Sequence, residues 1–407
     1  MMRRRLLFAL AVCLLASAPS RAQTSDAGPA PTIVRGAFSF ASALGIEARH
    51  DDNIFASRTN RQSSTLWKLR PSLLMQIQPA RSRLEFGYHG DYASYQDSSN
   101  DDYDDHDLEA GAYLLLGERS GLDLIASYEY GHDDRGTVLT QGLPPASGAL
   151  PREPDRFTNE VYRGRYTYGV SRTRAFLTFE AGTQQLTYKN NEARTRFFNR
   201  KTTDGEATFG VRLRPSVSLQ LSARARDISY DNPRASGVNP DSRENRYLLG
   251  LQWEATARTT GTVRVGRVEK KFDEPGRADF TAPNWEVEIR WSPRSYSHFE
   301  LGTERYTDEP IELPGNVIDT RTYSLAWSHD WNDRFGSRAT LSRLDRSYRF
   351  TTGERSDQSP RYGLAFTYKM RPWLRWELGV EASSRDGDLE REDYDRTIAR
   401  LGAWITF

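Results

Sequence analysis

Apolar and polar residues alternate along most of this chain with a period of two, and that property decides which folds are open to it. In 247–253, Tyr247, Leu249, Leu251 and Trp253 share one face. Trp285, Val287, Ile289 and Trp291 alternate with Glu286, Glu288 and Arg290. Tyr323, Leu325, Trp327, His329 and Trp331 alternate with Ser324, Ala326, Ser328 and Asp330. A repeat of 180° per residue is that of a strand with unlike faces. No segment after residue 23 sustains the 3.6-residue period of an amphipathic helix. About 18 such runs can be counted, the first near 39–50, one near 359–371 and the last near 393–407. The chain reads as all-β.

The connections alternate in length. Short ones include Gly117-Glu118-Arg119-Ser120, Arg214-Pro215, Asn332-Asp333-Arg334 and Arg371-Pro372. Long ones, rich in Asp, Asn, Gly and Pro, cover 51–63, 97–102, 134–155, 190–200, 232–242, 308–318 and 351–358. An even strand count with short turns on one side and long loops on the other describes a transmembrane antiparallel up-and-down β-barrel of a Gram-negative outer membrane. Composition agrees: 12% aromatic residues exclude a disordered chain, and 27% charge with a mean hydropathy of −0.72 excludes a helical membrane protein. Aromatics gather toward strand ends, as Tyr88 and Tyr92, Tyr128 and Tyr130, Trp285 and Trp291, Trp373 and Trp376. Such placement resembles interfacial girdles, which a soluble sandwich or propeller does not need. The terminal Phe407 continues the outward row Leu401, Ala403, Ile405, like the signal that barrels present to their assembly machinery.

An export signal is expected at the start. Arg3, Arg4 and Arg5 precede the apolar stretch 6–16, and Ser20-Arg21-Ala22 offers a cleavage site after Ala22. The expected organisation is a signal peptide over 1–22, a short periplasmic tail over 23–38 and the barrel over 39–407. Cys13, the single cysteine, lies in the leader. Cleavage removes four arginines and no acids, taking the formal charge from +1 to −3. Such a balance gives no electrostatic case for nucleic acid.

If the apolar faces meet lipid, the residues between them line the interior. The lumen candidates are Arg49, Lys68, Arg70, Arg163, Arg165, Arg212, Arg224, Arg226, Arg246, Glu286, Arg290, Arg338, Arg375, Arg396 and Arg400. Two roles are open to them: pairing with Glu on neighbouring strands to stiffen the wall, or holding carboxylates or phosphates of a passing solute. Arg163, Arg165, Arg224, Arg226 and Arg246 form the densest basic group.

Catalytic patterns are thin. No GxSxG, HExxH or CxxC spacing occurs, so no nucleophile, zinc site or cofactor is expected and the chain does not read as an enzyme. Asp104, Asp105, Asp133 and Asp134 fall at strand ends among acidic loop residues. Oxygen-rich loops suit Ca²⁺, which makes these four the candidates for a bound cation.

A succession of short motifs points to a family. The first run ends His50-Asp51-Asp52-Asn53-Ile54-Phe55, followed by Asp91-Tyr92-Ala93-Ser94-Tyr95, Asp101-Asp102-Tyr103-Asp104-Asp105-His106, His132-Asp133-Asp134-Arg135-Gly136 and Arg152-Glu153-Pro154. This order resembles the putative β-barrel porin 2 family, the EpsL-like outer-membrane barrels of exopolysaccharide and capsule gene clusters, with Asp51-Asp52-Asn53-Ile54-Phe55 the sharpest motif. The resemblance implies export of a polysaccharide through a wide polar lumen, with a periplasmic export apparatus behind it and outer-membrane lipid and lipopolysaccharide around it. The alternative is a general diffusion porin for small hydrophilic solutes.

Overall fold

The computed structural model describes residues 33–79, 81–143, 148–170, 173–234, 237–256, 258–309, 317–350 and 353–407. The expected leader over 1–22, with its Cys13, and the tail as far as residue 32 lie outside them. The strands are β1 (Ile33–Arg35), β2 (Phe38–Asp51), β3 (Ser64–Ile77), β4 (Arg83–Tyr95), β5 (Tyr103–Leu116), β6 (Ser120–Asp133), β7 (Asp155–Tyr168), β8 (Ala175–Tyr188), β9 (Arg200–Arg214), β10 (Val217–Tyr230), β11 (Ser242–Thr256), β12 (Thr259–Phe272), β13 (Phe280–Arg294), β14 (Ser297–Asp308), β15 (Val317–Asp330), β16 (Phe335–Phe350), β17 (Gly353–Arg371), β18 (Leu374–Gly387) and β19 (Tyr394–Thr406).

From β2 onward each strand pairs antiparallel with its successor, and β19 returns to β2 with Ile398 opposite Asp51 and Thr406 opposite Ala43. Strands β2 to β19 therefore form a closed barrel of eighteen. Closure satisfies the backbone of the first and last strands against each other, as a bilayer requires. Strands of 12–19 residues exceed the 9–11 needed to cross the hydrocarbon. Their ends beside the long connections consequently stand clear of it.

Two boundaries differ from the sequence reading. Ile33–Arg35 folds back on β2, Val34 opposite Ser39, so the expected free tail ends in a small hairpin. The connection after β16 spans only 351–352, where a loop over 351–358 was expected. Arg349 faces Glu354 and Arg346 faces Asp357 across a hairpin that continues past the bilayer. Residues 353–358 of that extension are hydrophilic on both faces, which erases the alternation by which strands are read.

The outer surface carries the exposed apolar residues, among them Leu69, Phe179, Leu221, Leu249, Leu301 and Leu378. Trp291, Trp331, Trp373 and Trp376 lie exposed near the short turns, the position of an interfacial girdle. Trp285 is different: it is half-buried, and its Nε1 donates to Thr303 Oγ1 at 3.1 Å. Tyr88, Tyr92 and Tyr130 gather around the His106 ring, with the Tyr88 hydroxyl 3.1 Å from both the Tyr92 hydroxyl and His106 Nδ1. Phe407 is exposed, and its N–H donates to the Ser42 carbonyl at 3.0 Å.

Candidate functional site: the lumen and its outer mouth

Strand parity turns the candidate lumen residues inward, since their sequence neighbours Leu69, Tyr162, Leu213, Tyr247, Trp291 and Leu401 are exposed on the outside. The dense basic group is interleaved with acids. Arg165 donates to Glu180 at 2.6 Å, and Glu180 also binds Arg163. Arg163 and Arg224 share Asp204 at 3.3 and 3.0 Å. Arg226 lies 3.9 Å from Glu244, which takes a bond from Arg246 at 2.7 Å. Arg246 also faces Glu286 at 3.9 Å, and Arg264 reaches Glu286 at 2.8 Å. The result is a ladder of alternating sign running around β7 to β13.

The other candidates are placed as follows. Arg49 and Arg70 hold Glu47 at 2.9 and 3.3 Å, and Lys68 holds Asp91 at 2.7 Å. Arg338 binds Glu300 at 2.9 Å, and Arg290 lies 3.6 Å from the same carboxylate. Arg400 binds Glu377 at 2.9 Å. Arg212 instead caps a turn, donating to the Thr173 and Gly169 carbonyls at 2.7 and 3.0 Å. Arg375 meets the Trp404 ring.

The outer end of the lumen is packed. Asp51 accepts from Arg396 Nε at 2.8 Å, across the seam between first and last barrel strands. The Asn53 N–H donates to Asp51 Oδ1 at 2.9 Å, and its amide reaches the Ser57 and Asp395 carbonyls. That bracket turns the chain inward, so Ile54 and Phe55 pack on Leu66, Ala93 and Tyr95. Arg135 then covers the Phe55 ring at 4.7 Å and pairs with Asp101 at 2.5 Å. Gly136 (φ +84°) passes so close that a Cβ there would stand 1.8 Å from the Phe55 carbonyl oxygen. The motif that carried the family resemblance is thus a plug.

A second inward element faces it. Pairing between β13 and β14 ends at Trp285–Arg305, while β14 and β15 stay paired as far as Asp308–Ile318. Freed from β13, with β15 still paired to β16 as far as Val317–Arg349, the described ends of β14 and β15 lie against the inner face of β10 to β13. Thr307 bonds Glu244, Glu309 bonds Lys270 and takes the Tyr230 hydroxyl at 2.7 Å, and Val317 packs on Val268, Phe280 and Ala282. The loop after β6 and the β18–β19 connection meet where Gln141 donates to Glu392 at 2.8 Å, and Glu392 accepts from Arg385 at 2.7 Å. The inner half stays wet: side-chain exposure is 2% for Arg246 and 1% for Lys270, against 56% for Arg290 and 41% for Glu300.

The acidic cation candidates do not converge. Asp105 and Asp134 flank the His132 ring at 2.8 and 3.2 Å, Asp133 accepts from the Tyr188 hydroxyl at 2.9 Å, and Asp104 faces Arg156 at 3.4 Å. Among the described residues no group of three or more His, Cys, Asp or Glu is arranged to hold a metal ion. The His132 ring lies against Tyr103 where β5 and β6 cease to pair. Burial would raise the Asp134 carboxyl, but the His132 hydrogen bond and charge, with Arg396 and Lys68, hold it well below the usual range. Glu309 behaves alike: Lys270 first, then Arg200 and the Tyr230 hydroxyl, outweigh burial and keep it low.

Sequence reading missed Asp204, Glu244, Arg264 and Trp404. Parity places each inward, and Trp404 follows directly from the outward row Leu401, Ala403, Ile405; their pairing across strands required register.

A closed antiparallel barrel, apolar outside and ion-paired within, defines an outer-membrane, porin-like channel protein. The chain belongs to the family described as putative beta-barrel porin 2, which matches residues 29–407. No curated protein matches it. Among solved structures it is similar to OpdK of Pseudomonas aeruginosa with vanillate (TM-score 0.49, 12% identity, 90% of this chain and 99% of that one). It is also similar to OccK3 (OpdO) of the same organism (0.47, 12%, 90% and 95%) and to the FrpB iron transporter from Neisseria meningitidis (0.48, 10%, 90% and 81%).

Proposed function

We propose that this protein is a diffusion channel for small hydrophilic solutes in the outer membrane of a Gram-negative bacterium. The observation that supports this reading is the packing of the outer mouth. Ile54 and Phe55 fill one side, and Thr307, Glu309 and Val317 at the ends of β14 and β15 lie over the other. A polymer conduit needs a wide bore with many weak sites. Here the outer half is occupied by buried ion pairs and apolar side chains, which hold a fixed geometry. Export of a polysaccharide, the expectation from the family resemblance, has no support in this arrangement.

The mixed-sign lining suits small polar solutes. Each guanidinium or carboxylate in the wet inner half offers a weak, salt-screened contact that water readily replaces. The test is reconstitution in planar bilayers and in liposomes loaded with sugars of increasing size. Stepwise ion conductance with passage of mono- and disaccharides is expected. A barrel that conducts no ions, or one that passes polysaccharide, would overturn the reading.

A further inference from the structure

The periplasmic end of the lumen carries an indole laid flat on the wall. Trp404 lies near the end of β19, opposite Gly45 of β2. A Cβ on Gly45 would meet Cζ3, Cε3 and Cη2 of the Trp404 ring at 2.4, 2.6 and 2.9 Å. Three ring carbons at nearly equal distance place the ring flat over the glycine. Gly45 points inward, because its neighbour Ile46 is exposed on the outside. The opposite face of the indole is therefore turned toward the lumen. Guanidinium groups flank it, Arg375 from β18 at 5.5 Å and Arg70 from β3 at 5.8 Å from the ring centroid. Among the described residues the Trp404 N–H makes no hydrogen bond.

Two other lumen aromatics near the same end, Tyr113 and Phe176, also lie under arginines. Those arginines are occupied: Arg83 pairs with Glu85 at 3.0 Å, and Arg212 caps the turn carbonyls described above. Arg375 is different. Among the described residues it has no carboxylate within ion-pairing distance, and its Nε is buried with no hydrogen-bond partner. A guanidinium without a counter-ion, next to an aromatic face, in an aqueous lumen, is half of a binding site. The missing half is an anion joined to a flat or chair-shaped ring, because the indole offers a π face and the guanidinium offers a planar fork.

We propose that Trp404 and Arg375, with Arg70 at the far edge of the ring, form a solute site for six-membered-ring carboxylates. The solute ring lies on the indole, and its carboxylate accepts from Arg375. Arg70 is partly committed to Glu47 and supports the indole more than the solute. This deepens the channel reading and rests on it for its role in passage. The geometry takes a uronate or an aromatic acid equally, since both present a ring face and a carboxylate.

Single-channel recording and equilibrium binding to the detergent-solubilised barrel test the site together. The probes are sodium glucuronate, sodium benzoate, glucose and sodium acetate. Glucuronate or benzoate is expected to bind saturably and interrupt the current, with glucose and acetate weaker by roughly tenfold or more. Binding by glucuronate alone assigns the site to sugar acids, by benzoate alone to aromatic acids, and either supports it. Arg375→Gln and Trp404→Leu should each weaken binding by roughly tenfold, with the mobility shift on boiling unchanged. Equal response to acetate and glucuronate, or binding unaltered in both variants, would overturn the site while leaving the channel intact. A barrel that conducts nothing yet binds these acids would sink the channel reading alone.

Discussion

Arg396 on the last strand grips Asp51 on the first barrel strand, through Nε at 2.8 Å and through a second, shorter bond from Nη2. The Asp51 side chain is 2% exposed, so this pair closes the barrel seam in a site with little water. Removing one partner of a buried pair costs about 3–5 kcal/mol, because the other charge stays buried. Asp51→Asn should lower the temperature at which the barrel loses its compact mobility on unheated gels. An unchanged transition would mean that the backbone ladder alone carries the seam.

Gly136 offers a way to unseat the plug without touching a charge. Its positive φ and its approach to the Phe55 carbonyl leave no room for a side chain. Gly136→Val adds strain of about 1–3 kcal/mol and displaces Phe55 from its seat on Leu66 and Tyr95. Higher single-channel conductance from a normally assembled barrel is expected. Wild-type conductance would show that the plug does not limit flow.

Acid should loosen the same mouth. Asp134 and Glu309 are held below their ordinary values, Asp134 by His132, Arg396 and Lys68, and Glu309 by Lys270 and Arg200. A carboxyl with a lowered folded-state pKa binds its proton first in the undocked state. Its contribution is therefore complete above about pH 4, the ordinary carboxyl range, and is lost as pH falls through the lowered values. Protease accessibility of the 134–143 segment and of the chain at Glu309 should rise as pH falls below about 4. Protection unchanged down to about pH 2 would contradict the assignment.

The lumen arginines should divide by burial. Arg246 sits between Glu244 and Glu286, with its side chain 2% exposed. Arg246→Glu would crowd three acids there, and the barrel should fail to assemble. Arg290 is wet and only 3.6 Å from Glu300, a pair worth about 0–1 kcal/mol. Arg290→Glu should assemble normally and move the reversal potential in a salt gradient toward cation preference. Equal assembly of both variants would argue that the ladder is not structural.

The period-two alternation decided the strands almost residue by residue, because a wall between lipid and water forces every second side chain outward. Leu401, Ala403 and Ile405 gave the phase of β19, which placed Arg400 inward; the same phase puts Trp404 inward too, though it was not singled out. Asp51 and Asn53 could be singled out as a motif but not explained. One bonds Arg396 and the other the Asp395 carbonyl, both supplied by a strand some 340 residues away. The acidic stretch around Asp104 and Asp105 reads as a solvated rim, yet Asp105 is buried against His132.

What the sequence determined by itself is local: strand phase, turn length, and which face of each strand carries charge. Those follow from neighbours one or two residues apart, for which a pleated backbone has a single answer. What only the tertiary structure decided is which charges meet and where the lumen narrows. The Arg163–Asp204–Arg224 contact depends on the register of four strands, β7 to β10. The inward placement of the β14 and β15 ends depends on where β13 lets β14 go. Neither leaves a period in the chain, because each is fixed by closure of the barrel and by the cost of leaving buried charge unpaired.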